Sequence, residues 1–78
     1  MAKAYVLIKT RVGETTGVRD KLTENKHIRN ADVVIGPHDI IALVEADDLN
    51  AIGTVVMNVV HDVSGVESTI TLPVIGEG

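Results

Sequence analysis

A four-stranded α+β sandwich is the fold class this sequence predicts, and three observations carry it. Four segments rich in β-branched residues, 4–10, 28–35, 39–46 and 66–75, are separated by two stretches with helical spacing, in the order β-α-β-β-α-β. The first and third of these segments are apolar at successive positions, whereas the second and fourth alternate. Central and edge strands differ in this way when both faces of a sheet are covered. A Gly36-Pro37 turn joins the second segment to the third, leaving no room for a helix between them. The order is that of the split βαβ unit of ferredoxin-like folds. Right-handed crossovers then place strands one and three centrally, giving an antiparallel sheet of order 4-1-3-2.

Residues 4 to 10, Ala-Tyr-Val-Leu-Ile-Lys-Thr, open the domain as a strand that shows apolar groups to both faces. Arg11-Val12-Gly13 ends it. Glu14 to Glu24 forms a weakly amphipathic helix with Val18 and Leu22 at i, i+4. Asn25-Lys26-His27 closes that helix. In Ile28 to Ile35, Asn30 and Asp32 share one parity and Ala31, Val33 and Ile35 the other, the pattern of a half-buried strand. Gly36 offers positive φ, Pro37 presets φ near −65°, and Asp39 is suited to bonding its own turn. The run from Ile40 to Val44 that follows has no polar side. Asp47 reads as the N-cap of a stronger helix whose stripe is Leu49, Ile52, Gly53, Val56, Val59 and Val60. His61 and Asp62 lie near its end and Ser64-Gly65 punctuates. In the last strand Val66, Ile70, Leu72 and Val74 oppose Glu67, Thr69 and Thr71, with Ser68 set towards the helices, and Pro73 marks an edge position.

With 78 residues the chain reads as one domain spanning 1–78. Domains of this size are marginally stable, and with no Cys neither a disulfide nor a thiolate-held zinc is available to help. Two helices cover one face of a sheet whose central strands are apolar on both. A second copy is the expected cover for the other face, so a homo-oligomer, at least a dimer of the dimeric α+β barrel type, is predicted. A net charge of −4 with scattered Lys and Arg argues against direct binding of nucleic acid. No secretory signal pattern and no apolar run near the ~20 residues of a membrane span is present, so a cytoplasmic protein without membrane contact is expected.

The residues offer little catalytic machinery. His38-Asp39 and His61-Asp62 each pair an imidazole with a carboxylate in sequence, yet no His pair has helical metal-ligand spacing and nothing resembles His-Glu-x-x-His. No metal and no cofactor is expected. Neither Ser64 nor Ser68 sits in a nucleophile elbow, and Val12-Gly13 is too little for a phosphate loop. What remains suits a small zwitterion in a largely polar pocket: turn backbone groups at Gly36 to His38, the Asp39 carboxylate for an ammonium, and the hydroxyls of Ser68, Thr69 and Thr71.

From about Ala4 to Ile75 the chain resembles the C-terminal ligand-sensing (RAM) domain of Lrp/AsnC transcription regulators. The opening Ala-Tyr-Val-Leu-Ile-Lys-Thr, Gly13 before the first helix, the Gly-x-x-Asp turn of Gly36 to Asp39 before an apolar strand, and the closing Val66-Glu-Ser-Thr-Ile-Thr-Leu carry the likeness. It implies sheet-to-sheet dimers that assemble into octamers or similar rings. It also implies an amino acid held between dimers near Gly36, Pro37, His38 and Asp39, with looser carry-over to Thr69 and Thr71. Full regulators carry a helix-turn-helix domain before this one. Met1 lies only a few residues from the first strand here, so a stand-alone module that mixes with full-length regulators is the expectation.

Two functions follow from this reading. The leading one is a non-enzymatic amino-acid-binding and oligomerisation module. The alternative is a small enzyme on the same scaffold, with His38 or His61 as base, because fold alone does not fix function.

Overall fold

The computed structural model describes residues 1–76. The elements are β1 (Ala2–Thr10), α1 (Thr15–Leu22), β2 (Ile28–Val33), β3 (Ile40–Ala46), α2 (Leu49–Val55, continued by a widened stretch over Val56–Val60) and β4 (Val66–Pro73). One sheet of order β2-β3-β1-β4 is antiparallel throughout, with β1 and β3 central as their two-sided apolar sequences require. This is the ferredoxin-like βαββαβ fold.

Side chains paired across an antiparallel ladder share a face. On the helix face, Ala4, Val6 and Ile8 of β1 and Ile40, Ala42 and Val44 of β3 are wholly buried. Val18 and Leu22 of α1, and Ile52, Val55, Val56 and Val60 from α2 and its continuation, pack over them. The other face carries two apolar rows, Leu72–Tyr5–Leu43 and Ile70–Leu7–Ile41. Tyr5 and Leu72 are 46% and 47% exposed, so in a single chain this face lies open.

Several local expectations are corrected. The N-cap of α2 is Asp48, not Asp47: its backbone is extended and its carboxylate accepts the Ala51 N–H at 2.8 Å. Leu49 and Gly53 are exposed and fall outside the buried stripe. From Val56 the helix widens, the His61 N–H reaching back to the Val56 carbonyl at 2.9 Å; Val60 is wholly buried and Val59 packs partly buried against the core, both within the expected stripe. The strand β2 stops at Val33, leaving Ile35 fully exposed in the turn, and its register slips between Ile28 and Asn30.

The fourth strand contains the largest surprise. Its pairing with β1 shifts between Lys9 and Thr10, so Glu67 is the extra residue of a bulge. A bulge breaks the period of two. Val66 therefore shares the helix face with Thr69 and Thr71, which pair with Ile8 and Val6, while Ser68 falls on the open face beside Lys9 rather than towards the helices. Gly65, just before the bulge, has φ +103° and is buried. A Cβ there would meet Glu14 Oε1 at 2.7 Å and Val18 Cγ2 at 2.8 Å.

Candidate functional site

The turn between β2 and β3 is built from one residue outward. The Asp39 carbonyl accepts the Val34 N–H at 2.9 Å, closing the loop, and the Asp39 N–H donates to the Ile8 carbonyl at 2.9 Å, tying the loop to β1. Gly36 takes φ +154°, a backbone region that essentially only glycine occupies freely. The Asp39 carboxylate then fixes the turn to the end of β1: Oδ2 accepts the Thr10 N–H at 2.8 Å and lies 3.3 Å from the Thr10 hydroxyl. Thr10 Oγ1 is also 2.7 Å from Thr15 Oγ1, on the first residue of α1. A hydroxyl has one proton to give. When Thr10 donates to Asp39, Thr15 donates to Thr10, and the three side chains form a directed chain from α1 to the turn. The Thr10 N–H holds the Asp39 carboxyl below its ordinary 3.8; partial burial opposes this, while the Thr10 hydroxyl and the charges of Lys9 and His38 reinforce it.

Above this support lies a hollow of about 310 Å³, floored by Leu7 and Ile41 of the open sheet face and walled by Val34, Ile35, Gly36, Pro37 and His38. Of the residues expected to act together, Gly36, Pro37 and His38 line it, and Asp39 underpins it. Thr69 and Thr71 do not join them. Within one chain β1 stands between β4 and β3, so Thr69 and the turn are roughly 10 Å apart across two ladder spacings, with Thr69 on the opposite face from the hollow. The hollow is also mainly apolar, where a polar pocket was expected. Sequence reasoning passed over Leu7 and Ile41 by treating them only as sheet cover, and over Thr10 because a threonine ending a strand is ordinary. The signal for Thr10 was its parity with Val6 and Ile8, which aims a hydroxyl into the core. It is the one buried polar residue among the described residues.

Polar groups at the turn remain open for a ligand. Among the described residues, no main-chain or side-chain acceptor takes the N–H of Ile35, Gly36 or His38, and Asp39 Oδ1 makes no hydrogen bond. The histidine–carboxylate pairs suggested by sequence do not form: His38 is not bonded to Asp39, and His61 Nε2 instead pairs with Thr69 Oγ1 at 2.8 Å. His61 is exposed, beside a shallow hollow of about 340 Å³ that also includes Glu67 and Ser68. A wider depression of about 560 Å³ between the C-terminal ends of the two helices is rimmed by Lys21, Glu24, Asn25, Asn58 and Asp62. Its charges are of mixed sign on solvated helix ends and converge on no point. Among the described residues no helix is long and apolar enough to cross a membrane.

Comparison with known proteins supplies the relationship. No curated protein sequence matches the chain. Among solved structures, the Thermus thermophilus protein TTHA0845 superposes with a TM-score of 0.93 at 29% identity, covering 100% of this chain and 98% of that one. Escherichia coli AsnC gives 0.90 at 19% identity, and the Neisseria meningitidis transcriptional regulator NMB0573, solved as an L-Met complex, gives 0.81 at 16%. Each of the latter two matches 97% of this chain, which spans 52% and 51% of their respective lengths, so at these identities they establish the fold alone. The sequence profile of the Lrp/AsnC ligand binding domain matches residues 3–77, nearly the whole sequence, and the chain belongs to that family.

Proposed function

We propose that this regulatory ligand-binding domain is a non-enzymatic amino-acid sensor that works by assembly. A free amino acid is held at the turn Gly36–Asp39, and copies associate through the open sheet face, as dimers and then as octamers or similar rings of dimers, alone or mixed with full-length Lrp/AsnC regulators. The observation that carries this reading is the position of the hollow: Leu7 and Ile41 belong both to its floor and to the apolar rows of the open face. A ligand seated there touches the surface that a second copy would cover. It can therefore bind two assembly states unequally, which is the one way a ligand shifts such an equilibrium. The ligand carboxylate is matched by the free N–H groups of Ile35, Gly36 and His38, and its ammonium by Asp39 Oδ1. An amino acid is also the ligand of the N. meningitidis relative. Thr69 and Thr71 contribute only if they come from another copy.

Sedimentation or light scattering of the purified chain, alone and with each of the twenty amino acids, tests the proposal. The expected result is an assembly whose size or stability responds to one or a few of them. A monomer, or an assembly indifferent to all twenty, refutes it. Calorimetry then localises the site: Asp39→Ala should weaken binding of the responding amino acid while the chain stays folded and dimeric.

A further inference from the structure

We infer that the depression between the C-terminal ends of the two helices binds an extended aliphatic cation, a linear diamine or polyamine. This site lies in the helix layer, away from the β2–β3 turn, and stands independently of the sensor reading. The two helices end differently. In its last turn α1 carries Arg19 and Lys21, cations that offset the partial negative charge of a helix C-terminus, whereas α2 and its widened continuation carry none in theirs. Asp62 follows immediately and adds charge of the same sign. Among the described residues Asp62 has no basic partner, the Asn58 and Val59 carbonyls accept no hydrogen bond, and the neighbouring His61 imidazole is engaged with Thr69. The end of α2 is therefore a set of acceptors without a cation. On the α1 side of the depression, Glu24 is held only by Lys21 at 3.8 Å, an exposed pair of little net strength. Val59 and Val63, half-buried against the core, floor the space of about 560 Å³. A ligand with an ammonium at each end and methylenes between matches this arrangement: one end at Asp62 and the α2 carbonyls, the other at Glu24, the stem on the two valines. Because the charges are spread rather than convergent, a metal ion is a poor fit, and an anion meets carboxylates and a helix end of its own sign.

The test is calorimetric titration of the full chain with putrescine, cadaverine and spermidine against butylamine, butanediol, magnesium chloride and the Nα-acetyl methylamide of lysine. It is repeated on Asp62→Asn, on Glu24→Gln and, as a control for diffuse attraction to an acidic chain, on Asp47→Asn. All three side chains are exposed and outside the core cluster, so the variants keep the fold. At least one diamine or polyamine should bind saturably and about fivefold or more tighter than butylamine or magnesium, the gain expected of a second ammonium that finds a carboxylate. Butanediol should not bind. Asp62→Asn should weaken the tightest amine about threefold or more, Glu24→Gln should bring the diamines down to the level of butylamine, and Asp47→Asn should match the parent. Absence of saturable amine binding overturns the inference. So does magnesium binding as tightly as the amines, or Asp47→Asn weakening them as much as Asp62→Asn, since either reduces the effect to net charge. A diamine advantage that survives Glu24→Gln removes the two-ended fit and overturns it too. The lysine derivative as the tightest probe assigns the depression to a lysine side chain of a protein partner, which overturns the polyamine reading. None of these outcomes touches amino-acid binding at the turn.

Discussion

Thr10→Val removes one oxygen from the place where strand, helix and turn meet, and its cost can be worked from the structure. Valine is nearly isosteric, the site is 6% exposed, and the main-chain bond from residue 10 to Asp39 Oδ2 survives the change. What is lost is the hydroxyl's pairing with Thr15 at 2.7 Å and its contact with Asp39 at 3.3 Å. A neutral hydrogen bond contributes about 0.5–1.5 kcal/mol net, and the longer contact lies beyond the favourable range, so the sum is about 1–2 kcal/mol. Domains of this length are stable by roughly 4–12 kcal/mol, making that a measurable fraction. Urea unfolding followed by far-ultraviolet circular dichroism gives the stability change. Amide exchange at Val34 and Asp39, the two N–H groups that hold the loop, reports whether the turn has loosened. Thr10→Ser is the control, since it keeps the hydroxyl and loses only a methyl group. Faster exchange in the valine variant and parental exchange in the serine variant are expected. Unchanged urea midpoint and unchanged exchange in Thr10→Val would refute the claim that this hydroxyl fastens the turn.

Two further perturbations probe the same region. Gly65→Ala places a Cβ against Glu14 and Val18 at a φ of +103°; strain of about 1–2 kcal/mol and crowding of about 1–3 kcal/mol predict a loss of about 2–5 kcal/mol, and a urea midpoint within error of the parent would contradict it. Acid should act through Asp39. Because the fold lowers its pKa below 3.8, chiefly through the Thr10 N–H, its contribution to stability is present above that value and is lost as pH falls through the lower folded-state pKa. Asp39→Asn should therefore flatten the dependence of stability on pH below 3.8, and parallel acid-unfolding curves for the two proteins would argue against the assignment.

The sheet was legible in the sequence because its order rests on which strands are apolar on both parities. That property survives any error in strand ends: β1 and β3 are central even though β1 begins at Ala2 and β3 at Ile40. The turn was legible because Gly36 and Pro37 each have a conformational reason to be there; Asp39, expected to bond its own turn, instead accepts the Thr10 N–H at the end of β1. Faces were less secure. One bulge at Glu67 reverses the reading of Ser68, and nothing in the composition of a Thr- and Ser-rich edge strand announces where an extra residue is absorbed. Asp47 was read as the cap of the second helix, one residue early, and it is Asp48 whose extended backbone and carboxylate make the cap.

The hollow was hidden for a different reason, and that reason bears on the proposed mechanism. Leu7 and Ile41 are the same kind of residue as the core side chains beside them. The alternation that marks them as facing away from the helices also marks them as cover for a sheet, so sequence assigns them to assembly and leaves the ligand a polar turn. In three dimensions they are one surface. The loop Val34–Asp39 folds over the end of the open face, and Leu7 and Ile41 floor the hollow while standing in line with Ile70 in the apolar row. Under the proposed function, the apolar character of the hollow and the apolar character of the open face are then one requirement. A side chain seated against Leu7 and Ile41 changes the surface offered to a second copy, so ligand recognition and control of assembly draw on the same two residues. Replacing either should move both properties together, whereas replacing Ile35, at the outer wall, should move ligand preference alone.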